Sequence, residues 1–257
     1  MTTETAPHYL EAPAFAWSSG ERIAYHMSAG QGPTIIWCGG LKSDMDGGKA
    51  THLHSWAEES GRAFIRFDYF GHGKSSGQFR DGTISRWARD VVQVMDDLCD
   101  GDVILVGSSM GGWSSLLAAL ERPARVKGLL LIAPAPDFTE KLMWAGFTDE
   151  QRRTIEDEGL LLVPSDYDEP YEYSRALIYD GRENLLLDSP IEFAGPVRIL
   201  QGMQDASVPW EYAQKLLGVI TSDDMEMTLV KSGDHSLSTP HDLERLTRTL
   251  EELCTRV

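Results

Sequence analysis

The amino-acid sequence predicts an α/β protein built on an open, mostly parallel, doubly wound sheet. Short aliphatic or β-branched runs alternate with longer amphipathic stretches along most of the 257 residues. This alternation is typical of strand–helix–strand units with right-handed crossovers. Two of the short runs, 103–107 and 129–133, are apolar throughout. Such strands are expected where helices cover both faces of a parallel sheet.

The individual elements follow in chain order from the same pattern. Strands are predicted at 22–27, 34–38, 63–67, 103–107, 128–133, 197–202 and 226–230. Helices are predicted at 49–60, 85–99, 111–121, 210–220 and 240–256. Residues 9–27 are also compatible with antiparallel strands at the edge of the sheet. The whole chain, 1–257, is interpreted as one domain.

One long segment interrupts this alternation. After the strand that ends near residue 133, the next convincing strand begins only at residue 197, and the stretch between them is rich in Pro, aromatic and acidic residues. A structureless loop of that length is unusual in a compact domain, so we predict a small helical cap insertion at 135–195. Its apolar side chains need a partner, and covering a pocket would supply one. A packed helical decoration without a ligand role is the alternative.

The charge balance argues against two classes of partner. The chain has 23 Lys and Arg residues against 40 Asp and Glu residues, a formal net charge of −17. An acidic protein of this kind repels the phosphate backbone of nucleic acids and the surface of an anionic membrane. No apolar run approaches the roughly 20 residues that a membrane-spanning helix needs. We therefore expect no nucleic-acid partner and no membrane span.

Cysteine usage and the N-terminal residues predict a cytoplasmic protein. Cys38, Cys99 and Cys254 are odd in number and form no C-x-x-C spacing, which favours reduced thiols over a disulfide framework or a zinc site. The first residues have neither the regions of a secretory signal nor the arginines of a transit peptide. The histidines form no H-E-x-x-H or other metal-binding spacing. Neither a metal nor a cofactor is expected.

A G-x-S-x-G motif indicates where the chemistry lies. Gly107-Ser108-Ser109-Met110-Gly111 stands between a buried strand and a Leu/Ala-rich helix, which is the context of a nucleophile elbow. So sharp a turn leaves no room for bulky side chains two residues on either side of the central serine. The turn exposes the Ser109 hydroxyl above the sheet, at the N-terminus of the helix. Ser108 is the rival serine, but it is not at the centre of the motif.

A serine nucleophile needs a base and an orienting acid, because its alkoxide is inaccessible near neutral pH. Asp205 and His235 follow the last two predicted strands, at the edge where open α/β sheets build their sites. We predict Ser109 as nucleophile, His235 as general base and acid, and Asp205 as the orienting carboxylate. Asp137 is the rival acid, and Asp234 is expected to serve its own loop.

The oxyanion of a tetrahedral intermediate needs backbone N–H donors. The N–H of Met110, at the start of the helix after the serine, is the first predicted donor. The loop after the strand 34–38 is expected to supply the second, which we assign to Gly40, with Leu41 as the alternative. Cys38 is expected to be a small buried apolar side chain and not a reactive thiol.

These motifs resemble the α/β-hydrolase superfamily from about residue 22 to residue 254. The resemblance rests on Asp68 with Gly71-His-Gly-Lys-Ser75, Gly107-Ser-Ser-Met-Gly111, Gln201-Gly-Met-Gln-Asp205 with Val208-Pro209, and Asp234-His235. A closer similarity, at 63–69, 106–113 and 208–210, is to the acyl-protein thioesterases of animal mitochondria, which also act as mycophenolic acid acyl-glucuronide esterases. It implies cofactor-free hydrolysis of thioesters and esters of fatty or aryl acyl groups. The His-Gly pair usual before the oxyanion loop is Cys38-Gly39 here.

The predicted function is that of a serine hydrolase that cleaves esters or thioesters through an acyl-enzyme. The expected partner is a small-molecule or acylated substrate with an apolar acyl group. Asp68 and His72 are expected to be structural. Dehalogenases and epoxide hydrolases use a carboxylate where this chain has Ser109, which excludes them. A C–C bond hydrolase or lyase with the same Ser/His pair is the alternative, and a non-enzymatic binding protein would be expected to lose part of the Ser–Asp–His set.

Overall fold

The structure, a computed structural model, describes residues 6–11, 20–164 and 170–257. Its strands within these residues are β1 (His8–Glu11), β2 (Arg22–Ser28), β3 (Gln31–Cys38), β4 (Arg62–Phe67), β5 (Val103–Ser108), β6 (Val126–Ile132), β7 (Leu160–Val163), β8 (Tyr171–Ser174), β9 (Val197–Gly202) and β10 (Met225–Val230). Its helices are α1 (Gly48–Glu59), α2 (Ile84–Leu98), α3 (Met110–Glu121), α4 (Asp149–Glu158), α5 (Arg175–Arg182), α6 (Trp210–Ala213), α7 (Leu216–Val219) and α8 (Pro240–Cys254).

One eight-stranded sheet organises the fold, in the order β1-β2-β4-β3-β5-β6-β9-β10. β2 is antiparallel to both β1 and β4, and the other neighbouring strands are parallel. The predicted mostly parallel sheet is therefore confirmed. Its N-terminal edge is antiparallel, which was the second interpretation of residues 9–27. Residues 12–19 of that stretch lie outside the described residues.

The central strands are buried on both faces because helices pack on each side of the sheet. In β5, Val103 and Leu105 belong to the apolar cluster that includes α2 and α3, whereas Ile104 and Val106 belong to the cluster that includes α1 and α8. All four side chains are 0% exposed. Since successive side chains of a strand point to opposite faces, a strand between two helical layers must be apolar at every position.

The predicted helices coincide with observed helices to within a few residues, with one exception. The stretch 210–220 is divided into α6 and α7. The N–H groups of Lys215, Leu217 and Gly218 bond to carbonyls three residues earlier, not four, so a tight turn interrupts the α-helical ladder. In the part of the chain that the structure describes, no helix is both long enough and apolar enough to cross a bilayer.

The insertion at 135–195 is only partly helical. It contains a π-helical stretch (Thr139–Trp144), α4 and α5. Between α4 and α5, however, β7 and β8 form an antiparallel pair. The strand residues are Leu-Leu-Leu-Val and Tyr-Glu-Tyr-Ser, of which the Val and the two Tyr are types enriched in strands. The rings of Tyr171 and Tyr173 stack with centroids 5.7 Å apart. The structure thus differs from the predicted helical insertion. Residues 165–169, between the two strands, lie outside the described residues.

Candidate active site

The G-x-S-x-G motif forms a sharp turn between β5 and α3. Ser109 has φ 55° and ψ −117°, a backbone conformation that residues other than glycine adopt only under strain. A Cβ on Gly107 would lie 2.5 Å from the carbonyl oxygen of Gly111, and one on Gly111 would lie 2.0 Å from the carbonyl oxygen of Cys38. Both glycines are therefore required by close backbone approach.

The structure brings the three predicted side chains together in one hydrogen-bonded chain. The Oγ of Ser109 lies 3.1 Å from the Nε2 of His235. The Nδ1 of the same imidazole lies 2.7 Å from the Oδ2 of Asp205. Because β5, β9 and β10 end at the same edge of the sheet, the residues that follow them meet there. The imidazole is thus oriented with one nitrogen toward the hydroxyl and the other toward the carboxylate.

Asp205 is held as a carboxylate by several donors. Its Oδ1 accepts hydrogen bonds from the N–H groups of Ser207 and Val208, both at 2.8 Å. Its Oδ2 accepts one from the Nε2 of Gln201, at 3.1 Å, besides that from His235. Burial works to raise the pKa of the Asp205 carboxyl, but the hydrogen bonds from His235 and the backbone outweigh burial and lower that pKa. The negative charge beside the imidazole is therefore retained.

The loop that carries His235 is anchored to α1 and to itself. Lys49, on α1, donates a hydrogen bond from its ammonium group to the carbonyl oxygen of Ser236. The Oδ1 of Asp234 accepts the N–H of Leu237 at 2.9 Å, which is the local role that the sequence indicated. Sequence reasoning missed Lys49, because a single Lys gives no pattern that points to a distant loop, and it quoted Gln201 in a motif without assigning it a role.

Both residues predicted to supply backbone donors lie next to Ser109. Met110 follows it at the start of α3, and a Cβ built on Gly40 would lie 3.5 Å from the Cβ of Ser109, so the loop after β3 lies against the serine. Among the described residues, neither the Gly40 N–H nor the Met110 N–H donates to a backbone carbonyl. The alternative donor, Leu41, belongs to the same loop.

The rival residues have other roles in the structure. Asp137 is 0% exposed, and its two carboxylate oxygens accept the N–H groups of Leu186 and Leu187, at 2.8 and 2.9 Å. It therefore ties the two ends of the insertion together, and the carboxylate bonded to His235 is that of Asp205. The Cys38 thiol is buried, and burial raises its pKa to about 12, so it is not a reactive thiolate.

The cavity beside the insertion is separate from the three hydrogen-bonded side chains. No group of three or more His, Cys, Asp or Glu side chains among the described residues is arranged to hold a metal ion. A cavity of about 900 Å³ lies between the segment 76–81 and α5. Its lining does not include Ser109 or His235. The hydrogen-bonded side chains and this cavity are separate features of the molecule.

Comparison with known proteins gives the family. The sequence profile of the Alpha/beta hydrolase family matches residues 38–248, which span most of the chain. The chain belongs to the alpha/beta hydrolase family. The predicted superfamily and the prediction of a hydrolytic enzyme are thereby confirmed.

This alpha/beta hydrolase matches its relatives over most of its own length. It is 36% identical to the human (Homo sapiens) mitochondrial palmitoyl-protein thioesterase ABHD10, over 90% of this chain and 76% of that protein. The bovine (Bos taurus) protein of the same name is 35% identical, over 98% of this chain and 85% of that protein. The relatives named are mitochondrial, so they give no support to the predicted cytoplasmic location.

Solved structures share the fold of this alpha/beta hydrolase over almost its full length. A protein from Agrobacterium vitis S4 superposes with a TM-score of 0.91 at 41% identity, covering 97% of this chain and 100% of the other. Mouse alpha/beta hydrolase domain-containing protein 10 superposes with a TM-score of 0.87 at 34% identity, covering 97% and 98%. The predicted fold class is confirmed.

Proposed function

We propose that this chain is a serine hydrolase that cleaves esters or thioesters of apolar acyl groups. The observation that carries the proposal is the continuous arrangement of the Ser109 hydroxyl, the His235 imidazole and the Asp205 carboxylate, joined at 3.1 and 2.7 Å. These distances are within the hydrogen-bond reach that proton transfer between a nucleophile and its base requires.

In the first half of the reaction, the Ser109 oxygen attacks the acyl carbonyl carbon. The Nε2 of His235 accepts the hydroxyl proton. The Asp205 carboxylate then stabilises the imidazolium by accepting the hydrogen bond from the Nδ1–H of His235. The carbonyl oxygen becomes an oxyanion, which the N–H groups of Gly40 and Met110 bind. His235 then returns the proton to the departing alcohol or thiol, and the acyl group stays on the serine.

In the second half, a water molecule takes the place of the leaving group. His235 accepts one of its protons as the water oxygen attacks the ester carbonyl of the acyl-enzyme. The same two N–H groups bind the second oxyanion. Its collapse releases the carboxylic acid, and His235 returns the proton to the Ser109 oxygen, which restores the free enzyme.

The apolar character of the substrate is inferred from the insertion and from the relatives. Leu142 and Met143, in the π-helical stretch, and Tyr173, in β8, are partly exposed and pack against the core cluster that contains Met110 and Val208. The insertion therefore adds apolar surface to the same side of the sheet as Met110, the residue after Ser109, as a cap over an acyl chain would. The relatives named as palmitoyl-protein thioesterases support a long-chain acyl thioester as one substrate.

Replacement of the serine tests the proposal directly. We expect Ser109→Ala to fold normally, to lose labelling by a fluorophosphonate probe, and to lose turnover by about 10⁴-fold or more. Turnover is measured on p-nitrophenyl esters and acyl thioesters of increasing chain length. Ser108→Ala is the matched control, because Ser108 is the adjacent serine, and it should keep both labelling and turnover. Full activity of Ser109→Ala, or loss of labelling only in Ser108→Ala, would refute the assignment.

A further inference from the structure

The imidazole of His72 supports the loop that carries the Gly40 donor. The N–H of Lys42, two residues after Gly40, donates to the Nε2 of His72 at 3.1 Å. On the other side of the ring, the Nδ1 of His72 lies 3.1 Å from the carbonyl oxygen of Phe70. A carbonyl only accepts hydrogen bonds, so Nδ1 carries the proton and Nε2 presents its lone pair to the loop.

This contact fixes an unfavourable backbone turn. Lys42 has a φ of 57°, in the left-handed region that residues other than glycine seldom adopt. The next residue closes the turn, since the N–H and Oγ of Ser43 lie 3.2 and 2.8 Å from the carbonyl oxygen of Gly40. The N–H of Lys42 is part of the peptide between Leu41 and Lys42, so its bond to His72 fixes the plane of that peptide, and with it the direction of the loop after Gly40.

The surroundings of His72 keep its ring neutral and in place. The imidazole is 4% exposed, and it makes edge contacts with the rings of Tyr69, Phe79 and Trp87, with centroids 5.3 to 5.7 Å away. The pKa of His72 is lowered to about 4, because burial and the charge of Lys42 together outweigh the hydrogen bond to Phe70, which raises it. A neutral ring keeps Nε2 as an acceptor.

We propose that His72 is a positioning residue of the reaction, which holds the oxyanion loop so that the Gly40 N–H points at the reacting oxygen. It acts through the hydrogen bond from Lys42 and does not touch the substrate. The inference rests on the proposed function, because it assumes that the Gly40 N–H is an oxyanion donor. It assigns a chemical task to the histidine of the Gly-His-Gly turn, which the sequence indicated only as structural.

Two substitutions separate the hydrogen bond from the bulk of the ring. His72→Leu removes the acceptor but keeps an apolar side chain in an apolar site, and His72→Gln places an amide oxygen near the position of Nε2. Since loss of a whole oxyanion donor costs about 10²–10³-fold in rate, we expect a misdirected donor in His72→Leu to lower kcat by about 10–100-fold. KM should change less than about twofold, because the interaction forms only in the transition state. His72→Gln should recover most of the lost kcat.

The control is His52→Leu, which also removes one hydrogen bond of an imidazole, the one 2.8 Å from the Oγ1 of Thr247 on α8. We expect kcat to be unchanged in this variant. All rates are normalised to the number of sites labelled by prolonged fluorophosphonate treatment, so that a fraction of unfolded protein does not lower them. Thermal unfolding of each variant gives the stability independently.

The outcomes separate this inference from the proposed function. Activity in Ser109→Ala would remove the proposed function and this inference with it. If Ser109→Ala is inactive while His72→Leu keeps its full normalised kcat, only the inference about His72 fails. It also fails if His72→Gln is as slow as His72→Leu, because the loss would then come from the ring and not from its acceptor nitrogen.

Discussion

In the elbow, the strained backbone conformation and the need for glycine fall on different residues. Gly107 and Gly111 do not have positive φ values, whereas Ser109 does. The glycines are needed because backbone atoms pass within 2.0 to 2.5 Å of where their Cβ atoms would be. The strained conformation, which costs about 1–3 kcal/mol, lies on the reactive residue itself. That strain is maintained because the turn is clamped: the Ser109 N–H bonds to the carbonyl of Ile132 and its carbonyl accepts the N–H of Gly112.

A Gly111→Ala substitution tests this steric argument. The added methyl would lie 2.0 Å from the Cys38 carbonyl and 2.5 Å from the Gly39 carbonyl, so α3 and the oxyanion loop must separate. We expect a loss of about 2 kcal/mol in the free energy of unfolding, by overpacking, and at least about a 100-fold loss of kcat/KM from the displaced donors. Urea unfolding and ester turnover measure the two effects. Gly48→Ala is the control, since nothing lies within 4 Å of its Cβ position; equal behaviour of both variants would contradict the argument.

At the scale of elements, one buried carboxylate joins the two ends of the insertion. Asp137 has a φ of 58°, just after β6, where the chain leaves the sheet. Its two oxygens accept backbone N–H groups from the segment after α5. The start and the end of the insertion are thereby joined by charge-assisted hydrogen bonds in a buried place, where an unpaired N–H is costly. Burial raises the pKa of Asp137, against the effect of those two bonds.

Removal of this carboxylate should loosen the insertion. We expect Asp137→Ala to lower the free energy of unfolding by about 3 kcal/mol, because two buried donors lose their acceptor. Asp137→Asn, which keeps one oxygen acceptor and tolerates the positive φ, should lose less. The exposed pair of Lys141 and Asp188 provides the control, since Asp188→Ala should change stability by less than about 1 kcal/mol. Chemical denaturation of the three variants measures the differences. Equal losses in Asp137→Ala and Asp188→Ala would contradict the role given to Asp137.

At the scale of the whole molecule, buried titratable groups make stability depend on pH in opposite directions. Burial raises the pKa of Asp68 and of Asp90 to about 6. Between the ordinary value of 3.8 and 6, the folded protein binds more protons at these sites than the unfolded chain, so their effect is to lower stability as pH rises. The pKa of His72 is lowered from 6.5 to about 4, and its effect has the opposite sign.

The contribution of His72 is isolated by comparing two proteins. Between pH 7 and pH 5 the unfolded chain gains a proton at His72 that the folded protein excludes. Wild type should therefore lose about 2 kcal/mol of stability over this interval that His72→Gln does not lose. Lys42 is the charged group that faces the ring from the oxyanion loop, while the α2 side presents the ring of Trp87. Urea unfolding at pH 5, 6 and 7 measures the difference between the two curves. Parallel curves would show that His72 titrates alike in both states.

Much of the fold was predictable from local pattern. The runs at 103–107 and 129–133 are apolar throughout because their strands are covered on both faces, so each residue by itself indicates burial. The strand and helix positions, the elbow and the loops that carry Asp205 and His235 could be located in the same way. The pairing of β7 with β8 could not, since two runs of four residues are too short to distinguish a strand from a helical turn.

By itself, the sequence determined the elements, the class of the sheet and the residue types that the proposed chemistry uses. Only the tertiary structure decided which of them meet. Ser109 and His235 are 126 positions apart, and they come within 3.1 Å because the strand order places the ends of β5, β9 and β10 at one edge. The hydrogen bonds by which Gln201, Lys49 and His72 support the site were likewise decided only by the tertiary structure. A hydrogen bond depends on distances of a few tenths of an ångström between distant segments, whereas periodicity records only which face of an element is buried.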